Sequence, residues 1–404
     1  LALAAGANAS YTVRNLAHSA SYTLCATDSA DSVVERTTFN TPAMATYANP
    51  GWQAVGGAAY QWNSDNQSLA FAPDGLPYVA YQTGDKATVM RYNGTAWENV
   101  GNPGFSAGAV DYQSLSIAPD GTPYVAYRDN GNSNKTTVMR LNGTVWVDVG
   151  SAGFSTGVAH HQSLSFAPDG TPHVAYRDGG YGAKTTVMRY NGTAWVDVGS
   201  AGGLSVGLAS YQSLSFAPDG TPYVAYMDNS KSYKTTVMRF VSGSWALVGS
   251  PGFSAGEAGY QSLSFAPDGT PYVAYRDVGN GGKATVMRFV GGSWETVGSP
   301  GFSAGEAYYQ SLSFAPDGTP YVAYQDYGNS QKTTVMSYNG TDWVEVGSPG
   351  GLSAGEANGQ SLAFAPDGTP YVAYRDYGNG NGNKTTVMRL APVVPSAPTA
   401  VTAV

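Results

Sequence analysis

The stretch "GWQAVGG", Gly51–Gly57, is half of a motif that recurs whole further along the chain. There it reads "NGTAWENVG" (Asn93–Gly101), "NGTVWVDVG" (Asn142–Gly150) and "NGTAWVDVG" (Asn191–Gly199), each time after a strand-like run. At Trp52 that run is missing. Where the missing partner lies decides how the chain closes.

The marker "QSL" begins at Gln67, Gln113, Gln162, Gln212, Gln261, Gln310 and Gln360, with spacings of 46, 49, 50, 49, 49 and 50 residues. Seven units of this length read as propeller blades. In one unit, "QSLSFAP" (Gln261–Pro267), "PYVAYRD" (Pro271–Asp277), "KATVMRFV" (Lys283–Val290) and "SWETVG" (Ser293–Gly298) read as four strands. Asp268-Gly269 and Gly291-Gly292 read as two-residue hairpin turns, and a glycine-rich loop joins the middle pair. Four antiparallel strands make one blade.

Trp97, Trp146, Trp195, Trp245, Trp294 and Trp343 mark the fourth strands of units one to six. Unit seven runs through "KTTVMRL" (Lys384–Leu390) into "APVVPSAPT" with no Trp. The strand at Trp52 is therefore predicted to be the outermost strand of blade seven, because an open ring would leave unpaired edges. The expected fold class is all-β: a seven-bladed propeller of four-stranded blades over 51–390, closed by that N-terminal strand.

Composition agrees with a β architecture. Tyr (29) and Gly (52) are abundant and only 12% of residues are charged, too few for a disordered chain. A net charge of −8 with 20 Lys plus Arg argues against nucleic acid or an anionic membrane as partner. No apolar run approaches the ~18 residues of a membrane span, so no membrane insertion is expected. The opening "LALAAGANAS" has no basic segment and does not read as a signal peptide. The single Cys25 has no internal disulfide partner, and the Thr/Asn/Gly/Tyr bias suggests an extracellular or cell-surface bacterial protein.

The segment "YTVRNLAHSASYTLCATD" resembles the last strands of a fibronectin type III domain, with Leu16 six residues before Tyr22 as in a tyrosine corner. The C-terminal "PVVPSAPTAVTAV" resembles a linker and first strand of another such domain. These resemblances imply partial sandwich segments at 1–45 and 391–404. They belong either to a longer multidomain protein or to subunits that complete each other head to tail. The blades, of the form S-L-x-F-A-P-D-G-T-P-Y-V-A-Y with a W-V-x-V-G strand, resemble seven-bladed repeat regions of large bacterial secreted and surface proteins.

Positions alike in every blade read as scaffold. Asp74, Asp120, Asp169, Asp219, Asp268, Asp317 and Asp367 precede Gly in each "PDG" and read as turn carboxylates rather than calcium ligands. Asp129/Lys135 and its counterparts bracket one loop and read as cross-strand ion pairs. "NGT" at Asn93, Asn142, Asn191 and Asn339 matches a glycosylation sequon but reads as a hairpin turn.

Positions that differ between blades lie in the loop entering each "Q" strand, expected at the mouth of the central channel. Trp62, Tyr112, Tyr211, Tyr260, Tyr308 and Tyr309 supply aromatic faces, and Asp111, His160, His161 and Asn358 supply polar groups. Such a face suits a glycan or protein ligand. Adjacent strand residues point opposite ways, so His160 and His161 are expected to make a poor metal pair, and no cofactor is expected. Glu257, Glu306 and Glu356 recur at equivalent positions, which favours a structural role. The expectation is a non-enzymatic structural or adhesive module. A lectin-like glycan- or peptide-binding propeller, and a glycoside hydrolase or lyase, are its alternatives.

Overall fold

The computed structural model describes residues 21–27, 33–40, 51–56, 67–199, 201–347, 349–378 and 383–390. Among them, Ser21–Thr27 and Val33–Asn40 pair as an antiparallel hairpin. The rest of the two sandwich readings, and Trp62, lie outside the described residues.

The compact unit Gly51–Pro392 holds seven four-stranded antiparallel sheets. Blade three is representative: Ala159–Phe166 is the inner strand, followed outward by Pro172–Asp178, Lys184–Tyr190 and Trp195–Asp197. Blade seven takes its inner three strands from Ala357–Phe364, Pro370–Asp376 and Lys384–Leu390. Its outer strand is Trp52–Ala54, in register Trp52↔Leu390, Gln53↔Arg389 and Ala54↔Met388. The half-motif at the start of the propeller thus pairs with the end.

Three residues of the repeat explain why blades sit side by side. Each Trp indole donates to a carbonyl on the preceding blade's outer strand: Trp146 to Val100 O, Trp195 to Val149 O and Trp343 to Val297 O, all at 2.7 Å. The closing blade obeys the same rule on both sides, with Trp52 donating to Val346 O at 2.8 Å and Trp97 to Val55 O at 2.7 Å. Nearer the axis, the Ser of "QSL" accepts from the Leu N–H of the next blade. The bond from Leu164 N to Ser114 Oγ (2.9 Å) is one of seven that complete a circle, the last being Leu69 N to Ser361 Oγ (2.9 Å). The Leu itself packs into the interface with Val and Tyr of its own blade and Val of the preceding one. Gly56, in the opening motif, has φ +74, and a Cβ there would lie 2.7 Å from Trp97 Cδ1. Only glycine lets the strand end against the next blade's indole.

Two local expectations need correction. The Asp-Gly turn is not a two-residue turn. Gly170 N donates to Ala167 O (2.9 Å) and Ala167 N to Thr171 O (3.0 Å), so Ala-Pro-Asp-Gly forms one turn with Gly170 in the left-handed region. Its Asp does serve the turn, as Asp169 Oδ1 accepts from Thr171 N at 2.8 Å. The second correction concerns Asp129. Its Cα faces Lys135 as expected, but the carboxylate is buried and turns inward. It accepts from Gly131 N (3.0 Å), Asn132 Nδ2 (2.7 Å) and Thr137 Oγ1 (2.9 Å). Burial of a charge requires several donors, and the 3-10 turn Asn130–Asn132 provides them where a solvated Lys amine would not. In "NGT", Asn93 Oδ1 accepts from Thr95 N (3.0 Å) and Ala96 N (2.9 Å), forming the expected turn.

Candidate functional site

Every described inner strand from blade two to blade seven carries a bulge just before its Gln. The register breaks between Asp111 and Ser114, between His160 and Ser163, and at the equivalent places beyond. The residue at the bulge has positive φ: Tyr112 (52°), His161 (56°), Tyr211 (57°), Tyr260 (56°), Tyr309 (55°) and Gly359 (65°). Bulky side chains are costly in this region, by ~1–3 kcal/mol each. The conformation turns their rings into the mouth of the channel.

There they form an arc. Successive ring centroids lie 4.7 Å (Tyr112–His161), 4.6 Å (His161–Tyr211), 4.6 Å (Tyr211–Tyr260) and 4.9 Å (Tyr260–Tyr309) apart. Gly359 interrupts it on blade seven. Gln113, Gln162, Gln212, Gln261, Gln310 and Gln360 line the same cavity of about 260 Å³ together with Gln67. Several Gln amides reach sideways to the preceding blade, as Gln212 Nε2 does to Thr185 Oγ1 at 3.0 Å.

The residue before the bulge forms the rim: Asp111, His160, Ser210, Gly259, Tyr308 and Asn358. Across the strand pair these face Arg128, Arg177, Met227, Arg276, Gln325 and Arg375. The four arginines were missed from sequence, although the change from "YRD" to "YMD" and "YQD" between blades was the available signal.

The expected alternation of His160 and His161 also fails. The bulge cancels the two-residue period, so Tyr112 touches both rings, at 5.6 and 4.7 Å, and the two imidazoles lie 6.3 Å apart. Burial, then His160 and Arg177, pushes His161 down to about 3. His160 is also held below the ordinary histidine value, by burial first and then by Arg128 and Arg177, against the opposing pull of Asp111. Arg128 lies 3.7 Å from Asp111 and binds Asn134 Oδ1 at 2.9 Å. Among the described residues, no three His, Cys, Asp or Glu gather closely enough for a metal ion.

Blades five to seven differ. Arg276 pairs with Glu306 at 2.7 Å and lies 4.7 Å over the Tyr308 ring, and Tyr308 donates to Glu306 Oε2 at 2.7 Å. Glu306 is held below the usual carboxylate range by Arg276, then by Tyr308. Asn358 Nδ2 donates to Tyr377 Oη at 3.2 Å.

No protein-family model and no curated protein matches this chain. Solved structures do match in fold. A catalytically inactive His-to-Ala variant of virginiamycin B lyase from Staphylococcus aureus, with quinupristin, has a TM-score of 0.55 at 11% identity, covering 84% of this chain and 98% of its own. The polysaccharide lyase Uly1 has a TM-score of 0.53 at 12% identity, covering 84% and 93%. A PL25 ulvan lyase bound to a GlcA-containing sugar has a TM-score of 0.51 at 12% identity, covering 84% and 94%. These likenesses establish the seven-bladed propeller. They also overturn the expectation of a non-enzymatic adhesive module, because the propellers of this shape include enzymes that break polysaccharides. Repetition misled that expectation: the rim does break symmetry, but through arginines on the second strand.

Proposed function

We propose that this propeller cleaves an acidic polysaccharide by β-elimination at its channel mouth. One observation carries the reading: His160 sits on the rim beside Tyr112 and across the strand pair from Arg177, with its imidazole kept neutral by burial first and then by Arg128 and Arg177. Elimination next to a uronate carboxylate needs those three roles. His160 takes the proton from the carbon bearing the carboxylate. Arg128 and Arg177 hold that carboxylate and stabilise the negative charge that gathers on it. The bond from the neighbouring carbon to the glycosidic oxygen breaks, a carbon–carbon double bond forms, and the Tyr112 hydroxyl protonates the departing oxygen. No oxidant or reductant enters.

Hydrolysis fits less well. It needs two carboxyl groups ~5–10 Å apart, one of them protonated. Glu306 is held ionised by Arg276, and Asp111 lies against Arg128. The lyase and ulvan lyase names of the matching folds support an activity of this class, and an extracellular setting follows from a polymeric substrate. Among the described residues no helix is long and apolar enough to cross a membrane.

The test is incubation with uronate-bearing polysaccharides, following the ultraviolet absorbance of an unsaturated product. His160→Ala should lower turnover by ~10²–10⁴-fold. Arg128→Ala and Arg177→Ala should each lower kcat/KM by roughly 10²-fold. Because burial, then Arg128 and Arg177, holds His160 below the ordinary histidine value, the acid limb of the activity profile should lie below the ~6.5 of a free imidazole, and activity should fall as pH drops through the lowered value. New reducing ends without ultraviolet absorbance would mean hydrolysis and sink the elimination.

A further inference from the structure

The mouth is polarised, and its far side has no part in the elimination just described. On the seven-bladed ring, blades two and three, with His160, lie across the axis from blades six and seven. The residue following the second strand's Asp is Asn130, Gly179, Asn229 and Val278 on blades two to five, but Tyr327 and Tyr377 on blades six and seven. Both tyrosines are exposed, at 48% and 39%, and Tyr309 beside them is 37% exposed. Exposed rings gathered on one face, rather than scattered singly, mark an interaction surface.

Their geometry is held in place. Tyr308 and Tyr327 lie 4.9 Å apart with their planes at 44°. Arg375 stands 4.7 Å over the Tyr377 ring, as Arg276 does over Tyr308. Asn358 fixes the Tyr377 hydroxyl. The rings are therefore pre-organised while one face of the cluster stays open, which lowers the ordering cost of a ligand. Arg276 and Arg375 are already engaged with rings or with Glu306, so this side offers aromatic faces, hydroxyls and one amide rather than a free cation.

We infer that Tyr327 and Tyr377, with Tyr308 and Tyr309, form a remote subsite that stacks against neutral sugar rings of the polysaccharide held at His160. A pyranose presents an apolar C–H face and a rim of hydroxyls, which matches aromatic faces bordered by Tyr hydroxyls and the Asn358 amide. The polymer then crosses the mouth from the arginine side to the tyrosine side. The assignment rests on reading the mouth as a polysaccharide site.

Affinity electrophoresis tests it in the His160→Ala background, with a glucuronate-bearing polysaccharide and a neutral glucan as probes. Tyr327→Ala/Tyr377→Ala should weaken binding to the acidic polymer about tenfold, nearly independently of salt. Arg128→Ala/Arg177→Ala should weaken it in a strongly salt-dependent way. Asn229→Ala, at the same position on blade four, should change nothing. Weak binding of the neutral glucan should disappear with the tyrosine pair. Unchanged affinity in the tyrosine pair, with the ring's unfolding transition intact, overturns the subsite. If the unmutated protein gives no eliminated product but tyrosine-dependent binding persists, the elimination fails and the subsite stands.

Discussion

His161 shows how much one residue can carry at an inward bulge. Four sibling blades place Tyr there, and only blade three places an ionisable imidazole with its value pushed down to about 3. In the unfolded chain the ring titrates near ~6.5. Between those values the unfolded chain holds a proton that the native ring does not, so stability is fully present above ~6.5 and is lost as pH falls through about 3. The channel is open to water, so the loss should be about 1–2 kcal/mol rather than the full shift. His161→Tyr, which copies the siblings, should remove that component. Denaturant titrations of both proteins across this range would check it, and parallel pH profiles would contradict it. The sequence displayed His161 plainly. It concealed that a bulge would put His160 on the same side, because the two-residue period of a strand predicts the reverse.

At the scale of the element, the strand Trp52–Ala54 is only three residues long, yet it bonds to two blades. Its backbone pairs with Leu390–Met388 and its indole reaches Val346. Trp52 is 9% exposed and Trp195 is 7% exposed, each with the same kind of bond. Trp52→Ala and Trp195→Ala should therefore cost alike, ~3–5 kcal/mol, measured as shifts in denaturant midpoint. A much smaller loss for Trp52 would mean that the closing strand frays. This element was legible because an intact strand count in six blades makes the deficit in the seventh visible. The Asp129 carboxylate was not, because pairing register predicts which Cα atoms face each other and not which donors a buried charge will find.

The propeller is a ring whose interfaces are near-copies. Removing residues 51–56 would leave blade seven with three strands, deprive Trp97 of its acceptor at Val55, abolish the Trp52 bond to Val346, and weaken both interfaces of that blade. Unfolding, monitored by far-ultraviolet circular dichroism and Trp fluorescence, should then lose its single cooperative transition and begin at blades seven and one. A single unshifted transition would show that five intact interfaces suffice. Blade number, strand order and closure were determined by the sequence alone, because a repeat imposes the same packing problem seven times and has one solution that leaves no edge. The channel mouth was only located by it. That Arg128 and Arg177 flank His160, and that tyrosines gather on the opposite side, was decided by tertiary structure. Those residues come from different strands and different blades, and only the inward bulge and the circular stacking of sheets bring them to one opening.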